Sequence, residues 1–383
     1  MKRIITSVFA CLTLGAFAQN TALNFDGVDD YVKTSNAGIS GDGARTIEAW
    51  INTTNNSLPG GQGGNGQAVI VDWGQYGGSS YYNGKRFTFN TLFNNSIRVE
   101  VAGSGLSATT PVNDGQWHHV ACTFDPNDND TVRLFIDGVE DAKGRITIVN
   151  TGTTHAITIG KRIDDVSYFS GDIDEVKVWD FAKTEAEIAA GMNAEECSQS
   201  TSGLVAYFPL NEGVAGNDNS GVSTIFDLST NEGHSTDFSL DLTTSASNYV
   251  TGPAITAGME IDVTSATSCG DYVWSADNAT YTTSGVYKVV LSNTSGCDSI
   301  VSLDLTVLGA DATTETVTAC NTYTWATNGQ TYTTSGQYTA NLTNINGCDS
   351  IVTLDLTIGV PTSGTDVITA CDSYTWIDGV TYT

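Results

Sequence analysis

Residues 117–138 read WHHVACTFDPNDNDTVRLFIDG. Two runs in this stretch, His118 to Phe124 and Val132 to Asp137, place apolar residues at alternate positions. That two-residue period belongs to a strand with one face buried. Between the runs, Asp125-Pro126-Asn127-Asp128-Asn129-Asp130 is polar and turn-forming, so it reads as a hairpin loop. It lacks the glycine and the terminal glutamate that a calcium-binding EF-hand loop needs. Asp137-Gly138 is a second hairpin turn signal. Working outward, Ala22 to Val32 alternates in the same way, and Gly-rich stretches such as Gly60 to Gly66 separate such segments. One short helix is expected, from about Thr184 to Ala190. Thr184 and Glu187 fit a capping box, and Gly191 can end it.

Composition agrees with an all-β class. The 383 residues include 40 Gly and only 6 Pro, and the polar part is mostly Thr, Ser, Asn and Gly. Thr and the aromatics, 9% of the chain, favour strands. Asp and Glu number 43 against 15 Lys and Arg, giving a net charge of −28. Lys288 is the last basic residue. Nucleic acid is excluded as a partner, because phosphate contacts need Lys and Arg. Anionic membranes are disfavoured for the same reason. Cations, neutral glycans and basic surfaces stay open.

The N-terminus has the form of a secretory signal. Lys2 and Arg3 precede an apolar run from Ile4 to Phe17, and Ala16-Phe17-Ala18 is a cleavage signature. The run is shorter than the ~20 apolar residues of a spanning helix. Cleavage after Ala18 removes Cys11 and leaves seven of the eight cysteines.

The C-terminal part repeats. Cys269, Cys320 and Cys371 stand 51 residues apart, as do Trp274, Trp325 and Trp376, and Cys297 and Cys348 keep the same period. TSCGDYVW, TACNTYTW and TACDSYTW open successive copies, and GCDSIV with LDLT closes the two full ones. Units of about 50 residues bury little core and call for a staple. The spacing suggests disulfides Cys269–Cys297 and Cys320–Cys348, each closing one copy. The third copy stops at Thr383 before a second cysteine, so the chain reads as part of something longer. Cys122 and Cys197 remain; they either pair with each other or leave Cys122 as a buried thiol.

ALNFDGVDDYV (22–32), TIEAWI (46–51), WHHVACTFD (117–125), VRLFIDG (132–138), ITIGKR (157–162) and GDIDEVKVWD (171–180) occur in an order and spacing that resemble the laminin-G-like domain of the concanavalin A-like lectin/glucanase superfamily. The resemblance implies a jelly-roll sandwich of two antiparallel sheets. With the signal and the period already read, the expected organisation is a signal at 1–18, a jelly roll at 19–190, and at 191–255 a linker that includes a possible permuted segment of the jelly roll. Two β repeats follow at 256–310 and 311–361, then a truncated third at 362–383. Leu204 to Pro209 is a candidate permuted strand that pairs back into the sandwich. The whole arrangement resembles multidomain secreted proteins of the Bacteroidetes.

Several chemistries fail on the residues. Gly171-Asp172-Ile173-Asp174-Glu175 is only superficially like the glucanase motif E-x-D-x-x-E or E-x-D-x-E, because Asp172 replaces the first Glu and Val176 the second acid of the shorter form. His118 and His119 are strand neighbours on opposite faces and cannot chelate one metal together. No GxSxG or HExxH is present. Calcium is the credible ion. Asp26, Asp29 and Asp30 crowd one segment and Asp172 and Asp174 another, and related jelly rolls bring their first and last strands side by side. For glycan binding, Trp73, Tyr76, Tyr81 and Tyr82 could form a stacking platform, against the plainer reading of Trp73 as core.

The sequence therefore points to an exported, non-enzymatic binding or adhesion protein at the cell surface or outside it. Its jelly roll would take a polysaccharide or a surface protein, with the repeats as spacer. The rival is the accessory carbohydrate-binding part of a secreted glycoside hydrolase whose catalytic domain lies beyond Thr383.

Overall fold

The computed structural model describes residues 20–54, 66–76, 85–92, 95–101, 103–243, 246–256, 258–292, 297–309, 311–343, 348–360 and 363–383. The signal-like residues 1–18 lie outside them. The chain divides into two compact units, one of residues up to 263 with 288–302, the other of 264–287 with 303–383. Among the described residues no helix is long and apolar enough to cross a membrane.

In chain order the first unit runs β1 (Thr21–Asp26), β2 (Tyr31–Lys33), β3 (Arg45–Asn52), β4 (Ala68–Gly74), β5 (Arg86–Thr91), β6 (Ile97–Val101), β7 (Ser104–Ser107), β8 (Trp117–Asp125), β9 (Thr131–Ile136), β10 (Val139–Arg145), β11 (His155–Ile159), β12 (Ser170–Trp179), α1 (Glu185–Gly191), β13 (Leu204–Phe208), β14 (Asp237–Ser239) and β15 (Tyr249–Thr251). One sheet has the order β10-β9-β8-β3-β12-β1-β15, with β13 also on β12; the other is β14-β2-β11-β4-β5-β6-β7. Asp137 and Gly138 both take positive φ, as a two-residue turn between β9 and β10 requires.

Alternation builds the core. Leu23 and Phe25, Ile47, Ala49 and Ile51, Val120, Cys122 and Phe124, and Val132, Leu134 and Ile136 all face inward from the first sheet. Val71, Trp73, Phe87, Phe89, Ile97 and Val99 meet them from the second. Strand β12 breaks the period: Ile173 and Val176 both point inward, three residues apart. A bulge between Asp174 and Lys177 absorbs the extra residue, with Glu175 at φ 54°. One edge of β12 is thereby shared: residues 170–173 pair with β1, and 176–179 with β13.

The expected linker contributes to this sandwich through β13, β14 and β15. Ala206, Phe208, Leu210, Ile225, Leu242 and Tyr249 join its core. Helix α1 has Thr184 as N-cap with a capping box to Glu187, and its Ile188 covers Ala121 and Phe135 on the outer face of the first sheet.

Glu212 is half-buried in this closing segment. It accepts from Phe226 N (2.9 Å) and from the Tyr249 hydroxyl (3.0 Å). Burial raises its carboxyl from 4.5 to about 7. The folded chain thus holds a proton that the unfolded chain releases above pH 4.5. This contribution to stability is complete below pH 4.5 and is lost as pH rises through about 7. Glu212→Gln keeps the shape and cannot titrate. Urea unfolding between pH 4.5 and 8 should show a fall in stability that is smaller in the variant by about 3 kcal/mol. Parallel curves for the two proteins would refute this.

The remaining strands are β16 (Glu260–Ser268), β17 (Tyr272–Val273), β18 (Thr280–Tyr281), β19 (Gly285–Ser292), β20 (Asp298–Val307), β21 (Asp311–Cys320), β22 (Tyr323–Thr324), β23 (Thr331–Tyr332), β24 (Gly336–Thr343), β25 (Asp349–Gly359), β26 (Tyr374–Thr375) and β27 (Thr381–Tyr382). Two three-stranded sheets have matching orders, β16-β20-β19 and β21-β25-β24. In the latter β21 is parallel and β24 antiparallel to β25. Trp325, Leu354 and Leu356 form its small core.

The cysteine pairing differs from the expected one. The disulfides are Cys197–Cys297 and Cys269–Cys348. Cys269–Cys297 and Cys320–Cys348 do not form, because each second cysteine is taken by a cysteine from earlier in the chain. Cys122–Cys197 does not form either. Cys122 is a buried free thiol on the inward face of β8, pushed well up by burial.

Candidate functional site

The register of three strands builds an open cleft at one end of the first sheet. Asn24 on β1 lies opposite Asp172 on β12, and Asp172 lies opposite Asn52 on β3. Their neighbours Leu23, Ile51 and Ile173 point into the core. By alternation Asn24, Asp172 and Asn52 form a polar row on the other face. The cleft is lined by this row together with Asp26, Thr53 and Ser170. Asn24 Nδ2 donates to Asp172 Oδ1 (2.6 Å), and its Oδ1 accepts from Ser247 N (3.2 Å). Burial raises the Asp172 carboxyl above its ordinary value, and the bond from Asn24 opposes the rise. The set offers amides, hydroxyls and carboxylates side by side, which suits the hydroxyl pairs of a sugar.

Beside the cleft the chain turns sharply after β1. Gly27 has φ 82°, and a Cβ there would lie 2.7 Å from Ser170 Cβ, so the turn needs glycine. Asp26 Oδ1 accepts from Val28 N (2.7 Å), and Asp30 Oδ2 accepts from Asp26 N (2.6 Å). The turn brings carboxylate oxygens of Asp26, Asp29 and Asp30 within 4.8 Å of one another. Asp30 is buried and raised to about 6, chiefly by burial, while Asp26 and Asp29 are exposed. Three hard oxygen donors in one turn fit calcium by ligand type.

Asp172 and Asp174 are not among these converging carboxylates. Asp172 reaches the same cleft as Asp26 but belongs to the polar row. Asp174 is fully buried at the β12 bulge, where it accepts from Asn20 Nδ2 (2.8 Å). Burial and the neighbouring Glu175 hold its carboxyl well above the ordinary range.

The expected aromatic platform is not assembled as such. Trp73 is wholly buried and donates from Nε1 to Ile39 O (3.1 Å), so it is core. Its period decides this, since Trp73 shares the inward face of β4 with Val71. Tyr76 is exposed just beyond β4. Tyr81 and Tyr82 lie outside the described residues. His118 contacts Asp114 and Asp137, and His119 is buried 3.5 Å from Glu48. Burial lowers His119 to about 4, so it is neutral at physiological pH.

One polar layer was not foreseen. Arg86, Thr88 and Asn90 on β5, Asp72 on β4 and Glu100 on β6 share the outer face of the second sheet, and all are buried. Thr88 Oγ1 donates to Asp72 (2.8 Å), and Arg86 Nη2 lies 3.4 Å from Glu100. Among the described residues, neither amide atom of Asn90 has a hydrogen-bond partner. The alternation in RFTFN (86–90) signals this face, but such residues would ordinarily be assigned to solvent.

Residues 26–189 match the model of a laminin G family in the concanavalin A-like lectin/glucanases superfamily, and this part of the chain is a domain of that superfamily. No curated protein matches the sequence. Among solved structures, the chain is similar to a Bacteroides ovatus protein described as a candidate carbohydrate-binding protein (18% identity, TM-score 0.44, 58% of this chain and 60% of that one). It is similar also to the CBM40 of a Ruminococcus gnavus IT-sialidase (15% identity, TM-score 0.36, 46% and 98%). A third is a heptameric SAP-like pentraxin from Limulus polyphemus (16% identity, TM-score 0.33, 46% and 82%). The chain spans less than two thirds of the length of the Bacteroides ovatus protein.

Proposed function

We propose that the chain is an exported, non-enzymatic binding protein whose jelly roll takes a neutral glycan in the cleft of Asn24, Asn52 and Asp172. The single observation that carries this reading is the cross-strand polar row, open to solvent beside Asp26. The charge of −28 opposes anionic polysaccharides and leaves neutral ones. Export is supported by the Lys2-Arg3 start with its apolar run, and by two disulfides. A binding role without catalysis is supported by the carboxylates. Asp174 is buried, and Glu175 is bonded to Tyr207 and Lys177, so neither stands across the cleft from Asp172.

Affinity electrophoresis of the full chain through gels of neutral and anionic polysaccharides tests the reading. Retardation is expected in at least one neutral gel, and Asn24→Ala with Asn52→Ala should weaken it at least tenfold while the variant still melts cooperatively. No retardation in any gel, or retardation untouched by the double variant, would overturn it.

Calcium at Asp26, Asp29 and Asp30 is the second part of the proposal, supported by their convergence. Millimolar calcium should raise the melting temperature of the parent, and Asp26→Asn with Asp29→Asn should abolish that rise. Equal rises in both proteins would exclude this site.

A further inference from the structure

The two disulfides share a pattern that the repeats extend. In each, the cysteine earlier in the chain is exposed and the later one is buried. Cys197 and Cys269 are exposed; their partners Cys297 and Cys348 are 8% and 2% exposed. Both later cysteines lie in the GCDSIV text that closes a copy of the repeat. Each is bonded not within its own copy but to the module before it.

The first docking shows how the closing text attaches. Asp298, next to Cys297, donates from its backbone N to Cys197 O (2.9 Å). Its carboxylate accepts from Ser198 Oγ (3.0 Å) and Gln199 N (3.2 Å). The residues just after the exposed cysteine thus receive the Cys-Asp pair of the following module.

Cys320 has the attributes of an exposed first cysteine. It stands 51 residues after Cys269 in the same text and closes β21, as Cys269 follows β16. The residue after it is in the left-handed region in both copies, Gly270 at φ 109° and Asn321 at φ 68°. A short antiparallel pair follows in each, β17–β18 and β22–β23. Cys320 is exposed and its thiol is free. The cysteine of its own copy, Cys348, is already held by Cys269.

We infer that the staples run one module forward along the chain, and that Cys320 is an attachment site for the GCDSIV-type cysteine of a further β repeat docked on repeat 2. The bond forms by thiol–disulfide exchange with a small-molecule disulfide such as oxidised glutathione. The Cys320 thiolate attacks that disulfide and releases one glutathione thiolate. The incoming cysteine thiolate then attacks the Cys320 sulfur and releases the second. Two thiols are oxidised and one glutathione disulfide is reduced.

The full chain extended after Thr383 by the sequence of Thr334–Ile358 supplies one such cysteine. It is refolded in a glutathione redox buffer, and its peptides are mapped by mass without reduction. The expected map joins the added cysteine to Cys320, keeps Cys197–Cys297 and Cys269–Cys348, and leaves Cys371 open to iodoacetamide. A bond from the added cysteine to Cys371, or a thiol at both Cys320 and the added cysteine, would overturn the inference. So would Cys320–Cys348 in the unextended chain. Cys371→Ser should preserve the new bond, whereas Cys320→Ser should leave the added cysteine fully alkylated. Because Cys320 is unpaired in the parent, its replacement by Ser there should leave the melting temperature unchanged, which separates loss of the bond from loss of the fold.

Discussion

A chain ending at Ser198 should fail to reach the native sandwich, whereas one ending at Gly258 should melt cooperatively. The shorter chain lacks β13, β14 and β15. It loses Ala206, Phe208, Leu210, Ile225, Leu242 and Tyr249 from the core, all at most 6% exposed. Large apolar side chains contribute roughly 1.5–3 kcal/mol each on burial, so the loss is on the order of 10 kcal/mol. A domain's whole stability is about 5–15 kcal/mol. Two edges would also lose their partners, Thr21–Leu23 of β1 and Val176–Trp179 of β12. Dispersed amide resonances and a sharp melt in the 198-residue chain, at the temperature of the longer one, would refute this.

The second large effect is expected at Arg45. Its side chain is 0% exposed and lies within 6 Å of the ring centres of Trp73, Phe87 and Phe124. Its guanidinium donates to Gly43 O (3.0 Å), Gly41 O (3.0 Å), Ile39 O (3.4 Å) and Thr151 Oγ1 (2.8 Å). Burial lowers its pKa to about 10, which still leaves it charged at neutral pH. The fork ties residues 39–43 to the sandwich, and the three rings face its planar cation. Arg45→Ala removes four donated hydrogen bonds and opens a cavity among the rings. The expected cost is about 3–5 kcal/mol, or a melting temperature lower by roughly 10 °C. Arg45→Lys should recover only part of this, because one ammonium cannot span all four acceptors. Lys33→Ala breaks an ion pair whose side chains are half exposed, with Asp237, and serves as the control. It should change stability by less than about 1 kcal/mol. Similar melting temperatures for the Arg45 and Lys33 variants would refute the assignment.

Much of the sandwich was legible because its strands alternate cleanly. WHHVACTFD and VRLFIDG carry their inward faces in the text, and Thr184 with Glu187 announces the only helix among the described residues. The closing strands were harder. LVAYF (204–208) is almost continuously apolar, because Tyr207 on its outer face is covered too and bonds Glu175. The cysteine pairing was not legible, and the reason is the repeat itself. In a periodic chain each closing cysteine faces a candidate in its own copy and another in the preceding module, and spacing alone cannot choose. The site was half legible. The acidic turn at residues 26–30 shows in the sequence, but the row Asn24–Asp172–Asn52 joins positions from three distant strands and exists only through register. For Trp73 the sequence held a surface platform against a core reading, and the period of β4 decides for the core.

The position of β1 bears on how the molecule is made. This strand, near the start of the chain, is hydrogen-bonded on one side to residues 170–173 and on the other to residues 249–251. Its pairings span most of the sequence of the first unit. Contacts of such separation place the unit among high-contact-order folds, which close slowly because long loops must be ordered before any pairing rewards them. Until residue 251 has been synthesised, β1 cannot be flanked on both sides, and its edge at Thr21–Leu23 stays unpaired. The sandwich therefore cannot shut completely until the chain's first 251 residues have emerged.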